Sequence, residues 1–183
     1  MTTTNSWMLP IEEAWSKDHV FISTPTVNYT NQNYQQFFTD INFEDGWYMW
    51  EDTRNLTAGL PAPGVEVYCF YGVGLPTPVT YVYDEEFPNA DPVDFLYADG
   101  DDTVDSRSMG LCKRWIGQQD KPVHVTEFNG MPHLDMVFHH KVLNLIERIL
   151  EDRWTEPLPE ETNVFNSTAD SSDPPLAPPT TQD

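Results

Sequence analysis

Residues 98–108, ADGDDTVDSRS, place four carboxylates (Asp99, Asp101, Asp102 and Asp105) within seven positions of a chain whose formal net charge is already -21. A short strand pattern precedes the segment and a helical pattern follows it. Two readings of it compete. Asp favours turns that lead into helices because its side chain bonds to nearby backbone amides, which makes the segment a solvated acidic turn. Alternatively, one aspartate is buried and orients a catalytic histidine. Crowded carboxylates raise one another's pKa, so only one should point inward, with the others solvated or capping the next helix. A calcium loop is a third option, but DGDDTVD lacks the DxDxDG order and the later glutamate of an EF-hand.

The flanking segments put this turn in context. VEVYCFYG (65–72) alternates, with Val65, Val67, Cys69 and Tyr71 on one face and Glu66, Tyr68 and Phe70 on the other, and predicts a strand. GVGLPTP (72–78) reads as a loop and TYVYD (80–84) as a short strand or hairpin arm. SRSMGLCKRWIG (106–117) predicts a helix with Ser106 as N-cap and with Met109, Cys112 and Trp115 or Ile116 inward. KPVHVTEF (121–128) predicts a second strand and NGMPHL (129–134) a loop. DMVFHHKVLNLIERILEDRW (135–154) predicts the longest helix, with Phe138, Val142, Leu145, Ile146 and Ile149 as its buried stripe.

Strand, acidic loop, helix, strand, histidine-bearing loop, helix is an α/β order that favours a parallel sheet. In such sheets functional residues lie beyond the carboxyl ends of strands, where both Asp99–Asp102 and His133 fall. An aspartate after one strand and a histidine after the next fit the α/β-hydrolase chain order of nucleophile, acid, histidine. The competing reading of His133 is a surface histidine near a helix N-terminus. His139 and His140 are adjacent and make no standard zinc spacing with His133, so they read as surface or packing residues and no metal is expected.

Toward the N-terminus, Tyr34, Phe37, Phe38 and Ile41 of NYQQFFTDI (33–41) recur at helical spacing and make one apolar face. EDGWYMWEDTRNL (44–56) predicts a second short helix with Trp47 and Trp50 together, as core or groove lining. GLPAPG (59–64) punctuates the chain after it. From Glu156 onward there is no Lys or Arg, six prolines and many Ser, Thr and Asp, which predicts a disordered, exposed acidic tail over 156–183.

Nine basic residues against thirty acidic ones exclude a nucleic-acid partner, whose phosphates are bound by Lys and Arg. No run of eighteen apolar residues exists to span a membrane. Cys69 and Cys112 are the only cysteines and form no CxxC. Sequons stand at Asn28 (NYT), Asn55 (NLT) and Asn166 (NST). A lone cysteine pair beside three sequons points to a secreted, extracellular protein with one disulfide, worth about 4 kcal/mol for a loop of this size. MTTTNSWMLPIEEAW has neither the basic nor the apolar region of a signal peptide, so the expectation is that Met1 is not the natural start.

HVFISTPTVNYT (19–30), FEDGWYMW (43–50), AGLPAPGVEVYCFYGVGLPTP (58–78), LYADGDDTVDSRSMGLC (96–112) and PVHVTEFNGMPHLDMVF (122–138) closely resemble the C-terminal part of the lecithin–cholesterol acyltransferase family. The likeness extends to about Trp154. A lysosomal phospholipase of the family shares the outline, but GLPAPGVEVYC and GWYMW look closer to the plasma acyltransferases. The resemblance implies the C-terminal part of an α/β-hydrolase fold: part of an inserted cap over 1–60, hydrolase core over 61–155, and the tail over 156–183. It puts the triad aspartate at Asp101 and the triad histidine at His133, pairs Cys69 with Cys112, and makes Asn28 a family glycosylation position. Asn55 has no family counterpart, and HHKVLN (139–144) replaces a family sequon.

No G-x-S-x-G occurs in the chain, and in the family the nucleophilic serine and oxyanion hole precede the matched region. Acyl transfer by this polypeptide alone is therefore not expected. By resemblance the whole protein moves an acyl group from phosphatidylcholine to cholesterol on high-density lipoprotein, with apolipoprotein A-I as activator and no cofactor. The alternatives are a phospholipase with water as acceptor, or a non-catalytic lipid- or lipoprotein-binding chain.

Overall fold

The computed structural model describes residues 6–151. The chain divides into two units, 1–144 and 145–183, and both sheets and every candidate catalytic residue belong to the first. The predicted tail and Asn166 lie outside the described residues.

The N-terminal part of the first unit is held by aromatic packing. The strands β1 (Ile22–Ser23) and β2 (Asn28–Tyr29) form an antiparallel pair, followed by helices α1 (Tyr34–Asp40) and α2 (Glu44–Thr53). The spacing read in NYQQFFTDI puts Tyr34, Phe37 and Phe38 inside, where they join Phe21 and Tyr29 in one buried cluster. Trp47 and Trp50 stack on each other, with ring centroids 5.0 Å apart, and pack against that cluster. The α2 helix opens on Glu44 and Asp45, whose charges suit the positive end of a helix dipole.

Two sheets follow. The strands β3 (Val67–Val73) and β6 (Val123–Asn129) are parallel and in register from Val67↔Val123 to Val73↔Asn129. The second sheet has the order β2-β1-β4-β5, with β4 (Leu75–Val82) parallel to β1 and antiparallel to β5 (Asp94–Gly100). The α/β order is thus realised as a mixed α/β chain with a parallel β3–β6 pair. The strand that delivers the acidic turn, however, is antiparallel and belongs to the other sheet. The cause is a β4–β5 hairpin inserted between β3 and the turn.

That hairpin corrects the reading of GVGLPTP as a loop. Pro76 and Pro78 lie within β4, on the half that pairs only with β5; β1 meets β4 further on, at Tyr81 and Val82. Proline lacks a donor, so it is tolerated where a strand has one neighbour, and the register shifts between Pro78 and Thr80.

Two helix readings also change. The segment after the acidic turn is one turn of α-helix, α3 (Ser106–Met109), continued by a 3-10 helix over Gly110–Trp115. Its N-cap is Asp105, not Ser106: the Asp105 carboxylate accepts the Arg107 amide at 2.9 Å. The long C-terminal helix is shorter than 135–154. A 3-10 turn, Leu134–Val137, precedes α4 (His140–Leu150), and Phe138 lies exposed between them instead of opening a buried stripe.

Candidate active site

Each carboxylate of the acidic turn has its own donor. Asp99 accepts the Gly74 amide at 2.7 Å, which ties the β3–β4 corner to the end of β5. Asp105 is buried as the cap of α3. Asp102 is exposed, sits at φ +74°, and accepts the Thr103 hydroxyl. Asp101 is 1% exposed, and its Oδ1 accepts two amides, Thr103 at 3.1 Å and Val104 at 2.7 Å. This distribution answers the crowding: Asp99 and Asp102 stay exposed, and amides of the turn itself offset the cost of taking Asp101 and Asp105 out of water.

The second oxygen of Asp101 meets His133. Oδ2 lies 2.8 Å from the His133 Nδ1, and the His133 backbone amide donates to the Asp101 carbonyl at 2.8 Å. Aspartate turn and histidine loop are therefore joined twice. With a carboxylate as acceptor, Nδ1 carries the proton and Nε2 keeps its lone pair. Nε2 has no hydrogen-bond partner among the described residues, and the side chain is 43% exposed. Chemically, this is an imidazole whose tautomer is fixed from behind and whose second nitrogen is open to accept a proton.

Gly72 makes the juxtaposition possible. It is buried at the carboxyl end of β3, and a Cβ built on it would lie 2.1 Å from the Met131 carbonyl oxygen and 2.9 Å from the Asp101 Cβ. Any side chain at this position would press on both the histidine loop and the aspartate turn where they close over β3.

The ground beneath the pair is cross-braced. Cys69 on β3 and Cys112 in the 3-10 helix form a disulfide, with an S–S distance of 2.07 Å. Glu127 on β6 receives the Tyr71 hydroxyl at 2.7 Å and the Lys113 ammonium at 2.6 Å. Those two donors, Lys113 first, hold the Glu127 carboxyl below its usual range; Glu127 and Tyr71 in turn raise Lys113, and burial pushes the Tyr71 hydroxyl up. A cleft of about 400 Å³ opens beside this brace, lined by Gly74, Asp99, Arg107, Lys113, Glu127 and Asn129, and includes neither Asp101 nor His133.

Of the other residues singled out in the sequence, Asn28 lies exposed on β2 and Asn55 exposed in the turn after α2. The rings of His139 and His140 stack at 4.4 Å, away from any joint role with His133 that the hydrogen bonds show. Among the described residues no group of three or more His, Cys, Asp or Glu converges as a metal site, and no helix is long and apolar enough to cross a membrane. Gly72, Thr77 and the Asp99–Gly74 hydrogen bond carry no local sequence signal, since each depends on a partner far along the chain.

A buried carboxylate on Nδ1 and an open Nε2, set on loops that follow consecutive strands of the chain, are an arrangement that can activate a hydroxyl nucleophile. Residues 1–140 match the family model described as lecithin:cholesterol acyltransferase, and the chain belongs to that family. It is 61% identical over 145 residues to the phosphatidylcholine-sterol acyltransferase of Gallus gallus, covering 79% of this chain and 35% of that protein. To the Homo sapiens protein of the same name it is 59% identical over 150 residues, covering 82% of this chain and 34% of that one. The corresponding figures for Gerbilliscus gambianus are 60% over 141 residues, with 77% and 48% covered. The chain thus spans between about a third and a half of the length of these relatives.

Proposed function

We propose that this chain supplies the acid and the histidine of a Ser-Asp-His triad in a phosphatidylcholine–sterol acyltransferase. The observation that carries the reading is the Asp101–His133 contact, 2.8 Å at Nδ1, with Nε2 open. The names of the relatives support the substrate pair, a phosphatidylcholine donor and a sterol acceptor.

The reaction follows from the chemistry of such a triad. The nucleophilic serine and its oxyanion donors come from outside residues 1–183. His133 Nε2 takes the serine hydroxyl proton as the serine oxygen bonds to the ester carbonyl carbon of the phospholipid. The resulting imidazolium is stabilised by the Asp101 carboxylate, which keeps its negative charge throughout. Collapse of the tetrahedral intermediate breaks the ester bond, and the leaving alcohol of the lysophospholipid receives the proton from Nε2. The sterol 3-hydroxyl then gives its proton to Nε2 and attacks the acyl-enzyme; the serine oxygen leaves and recovers that proton. Cholesteryl ester is released and the couple is restored.

The finer arrangement belongs to the same reading. Residues 1–60 form part of a cap and 61–155 the C-terminal part of an α/β-hydrolase core. The disulfide, the chain's only cysteine pair, and the exposed sequons at Asn28 and Asn55 support a secreted glycoprotein; Asn166 is the third sequon. High-density lipoprotein is its surface of action, with apolipoprotein A-I as activating partner.

The test uses the native protein that contains this chain, on phospholipid–cholesterol particles. His133→Ala removes the base, so cholesteryl ester formation falls by about four orders of magnitude while particle binding is kept. Retained turnover in that variant contradicts the proposal.

A further inference from the structure

Thr77 is wholly buried in the middle of β4, opposite Ala98 on β5, and belongs to the inserted hairpin instead of either loop that carries the acid–base pair. Its hydroxyl nevertheless reaches the aspartate turn. Thr77 Oγ1 accepts the Asp102 amide at 3.0 Å and donates to the Leu75 carbonyl at 3.1 Å. The amide it holds is that of the residue with φ +74°, a backbone region that L side chains adopt only when their surroundings enforce it.

The fit around that hydroxyl is close. A Cβ built on Gly100 would lie 2.4 Å from Thr77 Oγ1 and 2.3 Å from the Val104 carbonyl oxygen, so β5 enters the turn directly against Thr77. The Asp101 amide donates to that Val104 carbonyl at 3.2 Å, and the Val104 amide returns to the Asp101 carboxylate. Asp102 follows Asp101 directly. Pinning its amide therefore fixes the peptide plane that carries the Asp101 carbonyl, which is the acceptor for the His133 amide. Without the hydroxyl, the Asp102 amide loses its partner in a part-buried site and the left-handed residue loses its restraint.

We propose that Thr77 is a positioning residue for the Asp101–His133 pair: through the Asp102 amide, its hydroxyl holds the aspartate turn in the geometry that keeps Oδ2 on Nδ1. This rests on the triad reading only for its effect on turnover; the effect on the pair itself is independent of it. Thr77 touches no reacting atom and acts through the turn.

The experiment compares Thr77→Val, which keeps the shape and removes the hydroxyl, with Thr77→Ser, which keeps the hydroxyl. Both are made in the native protein, alongside Asp101→Asn. Two properties are measured: the low-field proton resonance of the His133 Nδ1–H, and kcat and KM for acyl transfer across pH. In Thr77→Val the resonance is lost or shifts upfield and kcat falls by about tenfold to a hundredfold, the scale of a displacement on the order of 1 Å. KM changes little. Thr77→Ser retains the resonance and most of kcat.

An unchanged resonance and kcat in Thr77→Val overturn the proposal. So does a folded Thr77→Ser that loses both, which keeps the test decisive if Thr77→Val does not fold. If Asp101→Asn keeps full turnover, the triad reading falls, and the resonance in the two Thr77 variants alone decides whether Thr77 positions the pair.

Discussion

The aspartate turn and the histidine loop meet face to face and are built in opposite ways. Residues 99–105 are saturated: Asp101 is 1% exposed, two amides share its Oδ1, and the neighbouring amides are taken by Thr77 and Asp105. The histidine loop is held at its root, through the His133 amide and the close approach of Met131 to Gly72, and is open beyond. Leu134, Val137 and Phe138, which follow the histidine, are 71%, 74% and 63% exposed. In the proposed triad, the carboxylate is held aimed by fixed dipoles around it. The histidine of that triad exchanges protons with a bound hydroxyl and needs one nitrogen free. The stiffness of the couple is thus on the acid side, and substitutions there carry the larger consequences.

The largest consequence falls on the link itself. On the proposed triad, Asp101→Asn keeps the shape of the turn but offers Nδ1 no anionic acceptor, so kcat of the native protein for the proposed acyl transfer drops by about 10⁴ with binding to phospholipid–cholesterol particles intact. Kinetic and binding assays on the same preparations check this, and equal loss of both points to misfolding instead. Next comes the contact surface between the two regions. Gly72→Ala puts a methyl group into the Met131 carbonyl and the Asp101 side chain. It lowers stability by about 1–3 kcal/mol and depresses turnover with it, measured by thermal or denaturant unfolding.

Within the turn, Asp105→Ala removes the cap of α3 and costs about 1 kcal/mol, read as a lower unfolding midpoint. Beneath both regions, Glu127 has its pKa depressed by Lys113 and Tyr71. A depressed carboxylate contributes stability that is full above its unfolded pKa and is lost as pH falls through its folded one. Glu127→Gln therefore flattens part of the acid limb of stability against pH and leaves the neutral region little changed. The effect is modest because the pair is half exposed, and a pH series of unfolding midpoints tests it. The smallest effect is at Asp102: Asp102→Asn keeps a residue that tolerates positive φ and shifts stability by no more than about 0.5 kcal/mol. A large loss there would break the ranking of the four carboxylates.

What the sequence disclosed, and what it did not, follows the same division. Alternation in VEVYCFYG marked β3, KPVHVTEF read as the strand that is β6, and the spacing of Tyr34, Phe37 and Phe38 marked α1, because those patterns are local. The candidate acid and histidine were legible from their places after strands, with the resemblance choosing Asp101 among its neighbours. The β4–β5 hairpin was not legible. Its prolines argued against a strand, and only the pairing shows that they fall where β4 has one neighbour. The N-cap was misread by one residue because Asp105 and Ser106 are both good caps, and backbone dihedrals decide between them. Thr77 and Gly72 had no signal, since each acts on a turn far along the chain.

The most direct test of the account is the structure of the native protein trapped with a phospholipid phosphonate, which bonds covalently to an activated serine. The account predicts a serine Oγ from outside these 183 residues bonded to phosphorus, with His133 Nε2 within about 3 Å of it. Asp101 Oδ2 remains on Nδ1 in that complex. A phosphonate bonded elsewhere, or a His133 ring turned away from both Asp101 and the trapped serine, would contradict it.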